Sequence, residues 1–287
     1  MALLGIDLFE PYFPSSPRDL SEQSSGCRLE ASRITLEVLM LTSIKRAFVP
    51  LRYRITHTTK FPKGDLLSTL YNFSRRGFQP ACIVDVGANR GKWSQNAMLV
   101  YPDAEYLMLE PQAEMQPHLD RLCRKAKEAR WMQMGAADQN GELSFTVAPD
   151  TVSSTFGMSP EAARLSGMEQ RRIPVRTLDD LVQNELGRIP ELVKIDAEGF
   201  EMKIIDGAST LLGQTEAIFM EAHLLSEQDD PCNFANMVTR MADHGYEPYD
   251  FTWFGKRPSD GAVSLCEIVF VRRDGVLRQQ LGWVSAA

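Results

Sequence analysis

Residues Cys82–Lys92 read C-I-V-D-V-G-A-N-R-G-K, an apolar run that breaks into a glycine turn and then opens a helix. A glycine turn between a buried strand and a helix lets backbone N–H groups come close to a ligand. The spacing D-x-G-x-x-x-G lacks the first and third glycines of the dinucleotide fingerprint and sets Asp85 where a pyrophosphate would be repelled. A phosphate-free ligand with a positive end suits the turn better, and S-adenosylmethionine, with its ammonium, sulfonium and ribose, has that chemistry. The plain alternative is a D-x-G turn that merely closes an α/β strand.

Downstream, Ala104–Leu109 (A-E-Y-L-M-L) leads into Glu110-Pro111. A carboxylate at the end of the second strand, about twenty residues past the turn, is the position that takes ribose hydroxyls in dinucleotide folds. Pro111 then stops the strand.

The chain has 287 residues and a formal net charge of −7, which predicts no nucleic-acid partner and sets RNA aside as substrate. Its five cysteines, Cys27, Cys82, Cys123, Cys232 and Cys266, contain no C-x-x-C and read as reduced thiols. The N-terminus lacks a basic n-region and the longest apolar run, near Thr35–Ile44, is broken by Glu37. Neither a signal peptide nor a membrane span is expected, and a cytoplasmic location follows.

Two domains are predicted, 1–62 as a loop-rich arm with a helix and 63–287 as the enzymatic domain. In the first, Pro11, Pro14 and Pro17 lie among serines, and a helix over Leu29–Val49 ends at Pro50. Ile34, Val38, Leu41, Ile44 and Phe48 fall on one face of it, to be buried on the chain's own domain or, alternatively, in a homodimer.

From Gly64 helices and strands alternate. The reading is helix 65–76, strand 81–86, helix 92–100, strand 105–109, helix 114–129 and strand 130–134. After an interrupted region follow helix 178–185 opened by Thr177, strand 192–195, helix 201–212, strand 217–220 and helix 233–244. Tyr246–Phe254 and Ala262–Arg272 flank a turn with Pro258 and Gly261 and form a hairpin. The fold class expected is α/β, a doubly wound, mostly parallel seven-stranded Rossmann-like sheet with an antiparallel C-terminal hairpin. Ligands bind such sheets at the carboxyl ends of the strands near the switch point.

Two further strand ends carry chemistry. Leu192–Glu201 reads L-V-K-I-D-A-E-G-F-E and Ile218–His223 reads I-F-M-E-A-H. With these strands adjacent, Asp196, Glu198, Glu221 and His223 converge as a general base or as a site for a hard cation such as magnesium. Glu201, opening the next helix, reads as a favourable N-terminal charge.

Taken in order, D-V-G-A-N-R-G (Asp85–Gly91), L-E-P (Leu109–Pro111), V-R-T-L-D-D-L (Val175–Leu181), K-I-D-A-E-G-F-E (Lys194–Glu201) and M-E-A-H (Met220–His223) resemble the FkbM family of S-adenosylmethionine-dependent methyltransferases over about Gly64–Arg272. The resemblance implies that Asp85, Gly87, Asn89, Gly91 and Glu110 bind the cofactor and that the product is an O-methyl ether. The implied acceptor is a hydroxyl of a sugar, glycan or secondary metabolite. The chain reads Q-M-G-A-A-D at Gln133–Asp138, where the family carries an Asn before small residues, so Ala136 and Asp138 are the candidates for holding adenine. Ser153-Ser154 is read as part of the rim, and Ala148–Arg172 as a specificity loop. Asp196 and His223 are the candidate bases, Asp196 from its place in the motif and His223 because histidine titrates near neutrality. A nicotinamide oxidoreductase and a non-catalytic cofactor-binding scaffold stand as alternatives.

Overall fold

The computed structural model describes residues 64–151, 153–227 and 229–279. The arm and helix expected over residues 1–62, and the dimer contact assigned to them, lie outside the described residues.

Seven strands form the main sheet: β1 (Cys82–Val86), β2 (Glu105–Leu109), β3 (Glu128–Met132), β7 (Leu192–Ile195), β8 (Ala217–His223), β9 (Tyr246–Lys256) and β10 (Val263–Arg272), in the order β3-β2-β1-β7-β8-β10-β9. The first five in that order run parallel, and β10 inserts antiparallel between β8 and the edge strand β9. The expected sheet and hairpin are therefore present. The order in which strands are added reverses at β1, whose parallel neighbours are β2 and β7, so the switch point sits at Gly87.

Burial follows from the sequence pattern. All five residues of β1 and all four of β7 are buried, as strands covered on both faces must be. One face carries Ile83, Leu192, Phe219 and Val269 beneath helices α1 (Leu66–Arg75) and α2 (Lys92–Val100), which contribute Leu70, Phe73, Trp93 and Ala97. The other carries Val84, Val193, Ile195 and Met220 against α6 (Glu201–Asp206) and α7 (Phe234–Asp243). Between them in sequence lie α3 (Gln116–Cys123), α4 (Pro160–Leu165) and α5 (Leu178–Leu181). Asp65, Ser159, Thr177 and Asn233 each cap the following helix with a side-chain oxygen.

Four readings are corrected. The helix predicted over 114–129 ends at Cys123, and β3 starts at Glu128 instead of 130, because Glu128 must stand level with Glu105 on β2. Helix-forming residues after Arg124 yield to that register. The helix predicted over 201–212 stops at Asp206, where Gly207 caps it. Strand β8 runs three residues past Met220, since Glu221 and His223 pair with Glu267 and Leu265 of β10. The interrupted region holds a second sheet, β4 (Gly135–Ala136), β6 (Glu169–Arg176) and β5 (Gly141–Val147), together with α4. The stretch taken as a specificity loop thus contains α4 and half of β6, in which only Ile173 and Val175 are buried.

Candidate active site

Gly87 sets the geometry. Its φ is +74°, and a Cβ there would stand 1.8 Å from the Asp196 carbonyl oxygen. The turns after β1 and β7 touch backbone to backbone, which glycine alone permits. Gly87 and Ala88 N–H both donate to the Leu109 carbonyl, at 3.0 and 2.9 Å, tying the turn to the end of β2.

Next, Asn89 adopts φ +46°, a region asparagine tolerates. Its N–H donates to Glu110 Oε2 at 2.6 Å and its Nδ2 to the Thr151 carbonyl at 2.9 Å. Glu110 Oε1 accepts from Gln112 N–H and Nε2 at 2.9 and 3.1 Å. Burial pushes the Glu110 carboxyl above its ordinary pKa, against the bonds from Gln112 and Asn89. Oε1 is thus saturated, while Oε2, with Asn89 as its one donor, keeps a further lone pair for a hydroxyl.

These residues line a cleft completed by Val86, Gly135, Ala136, Phe145, Ser154, Phe156, Asp196 and Glu198. Phe156 meets Phe145 and Phe200 with ring centres 4.7 and 5.6 Å apart, giving the cleft an aromatic wall. Of the residues expected to bind cofactor, Gly87, Asn89, Glu110 and Ala136 line it, while Asp85, Gly91 and Asp138 do not. Strand alternation is the reason for Asp85: Val86 faces the cleft, so Asp85 faces the opposite side, fully buried. There Ser94 Oγ donates to it at 2.5 Å and Lys194 Nζ stands 3.2 Å away. The picture of Asp85 as an acid at the mouth of the turn is therefore corrected. Gly91 begins α2 with φ +72°, and Asp138 pairs with Lys203 at 3.1 Å.

Lys194 Nζ donates to the Gly87 carbonyl at 2.8 Å and lies 3.4 Å from Asp196. Burial pulls its ammonium pKa down, but Asp196 and Asp85 outweigh that and hold it above the ordinary value. One buried cation thus joins β1, β7 and the acidic turn that follows.

That turn, residues 197–200, is held from behind. Glu201, fully buried, accepts from Ala197 and Gly199 N–H at 2.7 and 3.1 Å and from Cys232 Sγ at 3.0 Å. Glu201 does open α6, yet its carboxylate serves the preceding turn, which the reading as a simple helix-end charge missed. Glu198, at φ +51°, has its carbonyl fixed by Thr155 Oγ1 at 2.8 Å. Burial, with Asp196 and Glu201 nearby, pushes its carboxyl up to about 7. Glu221 is pushed up to about 9 by burial and then by Asp196 and Glu198. Asp196, Glu198 and Glu221 each offer an oxygen within 4.8 Å of the others, so the convergence expected of them is found.

His223 stands apart from the cleft lining: its Nδ1 bonds Asp230 Oδ2 at 2.7 Å, and Asp230 Oδ1 accepts from Cys232 N–H at 2.9 Å. Also unread from the sequence were Gln112, Thr151, the Phe145–Phe156 wall and Glu267. Burial pushes Glu267 up to about 7, and Thr252 Oγ1 bonds it. Only the alternation around Phe145 signalled any of these. The four described cysteines are free. Among the described residues no helix is long and apolar enough to cross a membrane.

A seven-stranded sheet in this order, with its cleft at the carboxyl ends of β1, β2 and β7, defines a Rossmann-like methyltransferase, the fold of enzymes that use S-adenosylmethionine. The family model of the FkbM methyltransferase domain matches residues 85–248, more than half of the chain, and the chain belongs to that family. Hexuronic acid methyltransferase AglP of Haloferax volcanii is 25% identical over 145 residues, covering 48% of this chain and 54% of AglP. The chain thus spans about half the length of that curated relative. Among solved structures, the precorrin-6y C5,15-methyltransferase of Geobacter metallireducens is similar at 15% identity, covering 72% of this chain and 87% of that one, with a TM-score of 0.38. The 1,6-didemethyltoxoflavin-N1-methyltransferase of Burkholderia thailandensis, with S-adenosylhomocysteine bound, is similar at 11% identity, covering 88% and 93%, with a TM-score of 0.36.

Proposed function

We propose that the protein transfers the methyl group of S-adenosylmethionine to a hydroxyl oxygen of a sugar, glycan or secondary metabolite, with Asp196 as the proton acceptor. One observation carries this reading: Asp196 lines the same cleft as Gly87, Asn89 and Glu110, whereas His223 is committed to Asp230 outside it. The cleft suits the cofactor because the close approach at Gly87 keeps side chains out of the floor and Glu110 Oε2 retains a lone pair for a ribose hydroxyl.

When bound, the cofactor supplies an electrophilic methyl on a sulfonium. The protein's part is positioning and proton removal. Holding an acceptor oxygen at attack distance is worth up to ~7–11 kcal/mol. A hydroxyl attacks once its proton leaves, and a positioned carboxylate accepting that proton contributes roughly 10²- to 10⁴-fold. Glu198, with its carboxyl near 7, stands beside Asp196 to take the proton onward.

A second reading is favoured by the convergence of Asp196, Glu198 and Glu221. Three carboxylate oxygens suit a hard divalent cation, which would lower the pKa of an acceptor hydroxyl. Stabilisation of the protein by magnesium that disappears in Glu221→Gln supports it; identical melting with and without magnesium removes it.

Calorimetry with S-adenosylmethionine, S-adenosylhomocysteine and NAD tests the main reading. Adenosyl ligands should bind, Glu110→Ala should weaken them, and a labelled methyl should appear on oxygen when hydroxylated acceptors are supplied. Binding of NAD in their place would overturn it.

A further inference from the structure

Beyond the cleft, the same end of the sheet carries an aromatic surface that the reading above leaves unused. Trp253 on β9 is 48% exposed. Its indole lies over Gly255: a Cβ at 255 would stand 2.6 Å from the ring and 3.1 Å from Leu265 Cβ. Glycine at 255 therefore leaves room for the far edge of the indole against the hairpin, and the side chain stays half exposed.

Register fixes where this surface stands. Trp253 pairs with Glu267, Glu267 with Glu221, and Lys194 with Phe219, which brings Asp196 level with Glu221. The row Asp196, Glu221, Glu267, Trp253 crosses three interstrand steps, about 14 Å at the usual strand spacing. One end of the row holds the carboxylates of the reaction centre and the other a flat indole. Phe254, 44% exposed, follows Trp253, and the charged Lys256, Arg257 and Asp260 come next along the hairpin.

We propose that Trp253, seated on Gly255, is a stacking platform for a pyranose ring of the acceptor, so that the acceptor is a saccharide of at least two units and not a free monosaccharide. A pyranose presents C–H groups on its faces and hydroxyls around its rim. The faces match an open indole, which gives contact area at low entropic cost, and the rim hydroxyls match carboxylate oxygens, which accept hydrogen bonds. The span from Asp196 to Trp253 exceeds one sugar ring, so the unit on the platform is not the unit that is methylated. The inference rests on the assignment of the protein as a methyltransferase acting on sugar hydroxyls.

The test uses the full chain loaded with S-adenosylhomocysteine on an array of neutral, amino and uronic saccharides from one to six units. Wild type should retain saccharides of two or more units and leave monosaccharides unbound. Trp253→Ala should lose about tenfold or more in glycan affinity, as truncation of an aromatic anchor does. Trp253→Phe should keep most of it, and both variants should bind S-adenosylhomocysteine as wild type does. Equal glycan binding by Trp253→Ala, retention of monosaccharides alone, or no glycan bound by cofactor-loaded protein would each overturn the platform while leaving the methyltransferase reading intact. Failure to bind S-adenosylhomocysteine would remove the reading beneath it and the platform together.

Discussion

Lys194→Met is the most demanding perturbation of this architecture. The ammonium is 4% exposed and faces a fully buried Asp85 at 3.2 Å, Asp196 at 3.4 Å and the Gly87 carbonyl at 2.8 Å. Methionine matches the stem in length and apolar character, so packing is conserved and the charge is what changes. Removing one partner of a buried ion pair costs about 3–5 kcal/mol, because the remaining charge stays desolvated. Asp85 would keep only Ser94 Oγ. The cost should be larger at pH 8 than at pH 5.5: an unpaired buried carboxyl holds its proton more tightly folded than unfolded, so stability falls as pH rises. Lys194→Met/Asp85→Asn removes both charges and should recover most of the loss, since replacing a buried pair is far milder than breaking it. Urea denaturation of wild type, both single variants and the double variant at the two pH values gives the cycle. A loss below about 1 kcal/mol in Lys194→Met, or a double variant no better than the single, would refute the argument that Lys194 neutralises Asp85.

Gly87→Ala forces an alanine to φ +74° with its Cβ 1.8 Å from the Asp196 carbonyl; a stability loss of at least about 3 kcal/mol is expected, and near-native melting would contradict the close approach. Asp196→Asn should bind S-adenosylmethionine normally in calorimetry and lose at least roughly 10²-fold in methyl transfer, and unimpaired turnover would remove it from catalysis. Glu198 and Glu221 are raised from 4.5 to about 7 and about 9. The folded state therefore holds protons the unfolded chain has released, and their stabilising contribution, complete below about 4.5, is lost as pH climbs through 7 and 9. The melting temperature should fall across that range, and Glu221→Gln should flatten its upper part; an unchanged slope would mean Glu221 is ionised at neutral pH.

The central strands were legible because burial on both faces leaves a strong mark. C-I-V-D-V and L-V-K-I are near-continuous apolar runs ending in turn chemistry, and they form β1 and β7 where expected. The second sheet was not, since E-Q-R-R-I-P-V-R buries only Ile173 and Val175 and carries a proline, which reads as loop. For the site, sequence order names the strand ends but not the directions of side chains. Asp85 and Gly87, two residues apart, were both assigned to the cofactor, yet one forms the cleft floor and the other a buried ion pair on the far face. Thr151 and Gln112 reach the site through hydrogen bonds that no spacing announces.

Several local rules are broken together at one end of the sheet. Asn89 and Glu198 take positive φ, Glu110 and Glu201 are buried acids, and Lys194 is the cation set among Asp85, Asp196 and Glu267. A sequence selected for stability alone would remove several of these features, and their concentration at a ligand cleft is the expected pattern of strain kept for function. The sign of the charge then matters. An acid-rich cleft whose lysine is already engaged favours a ligand bearing positive charge, and a sulfonium with an ammonium answers that description better than its neutral-sulfur product. On the proposed reading, the repulsion that adds to burial in raising Glu198 and Glu221 is relieved when the cofactor binds and restored in part when the methyl leaves. The same acids that lower the stability of the empty domain would thereby favour release of the spent cofactor.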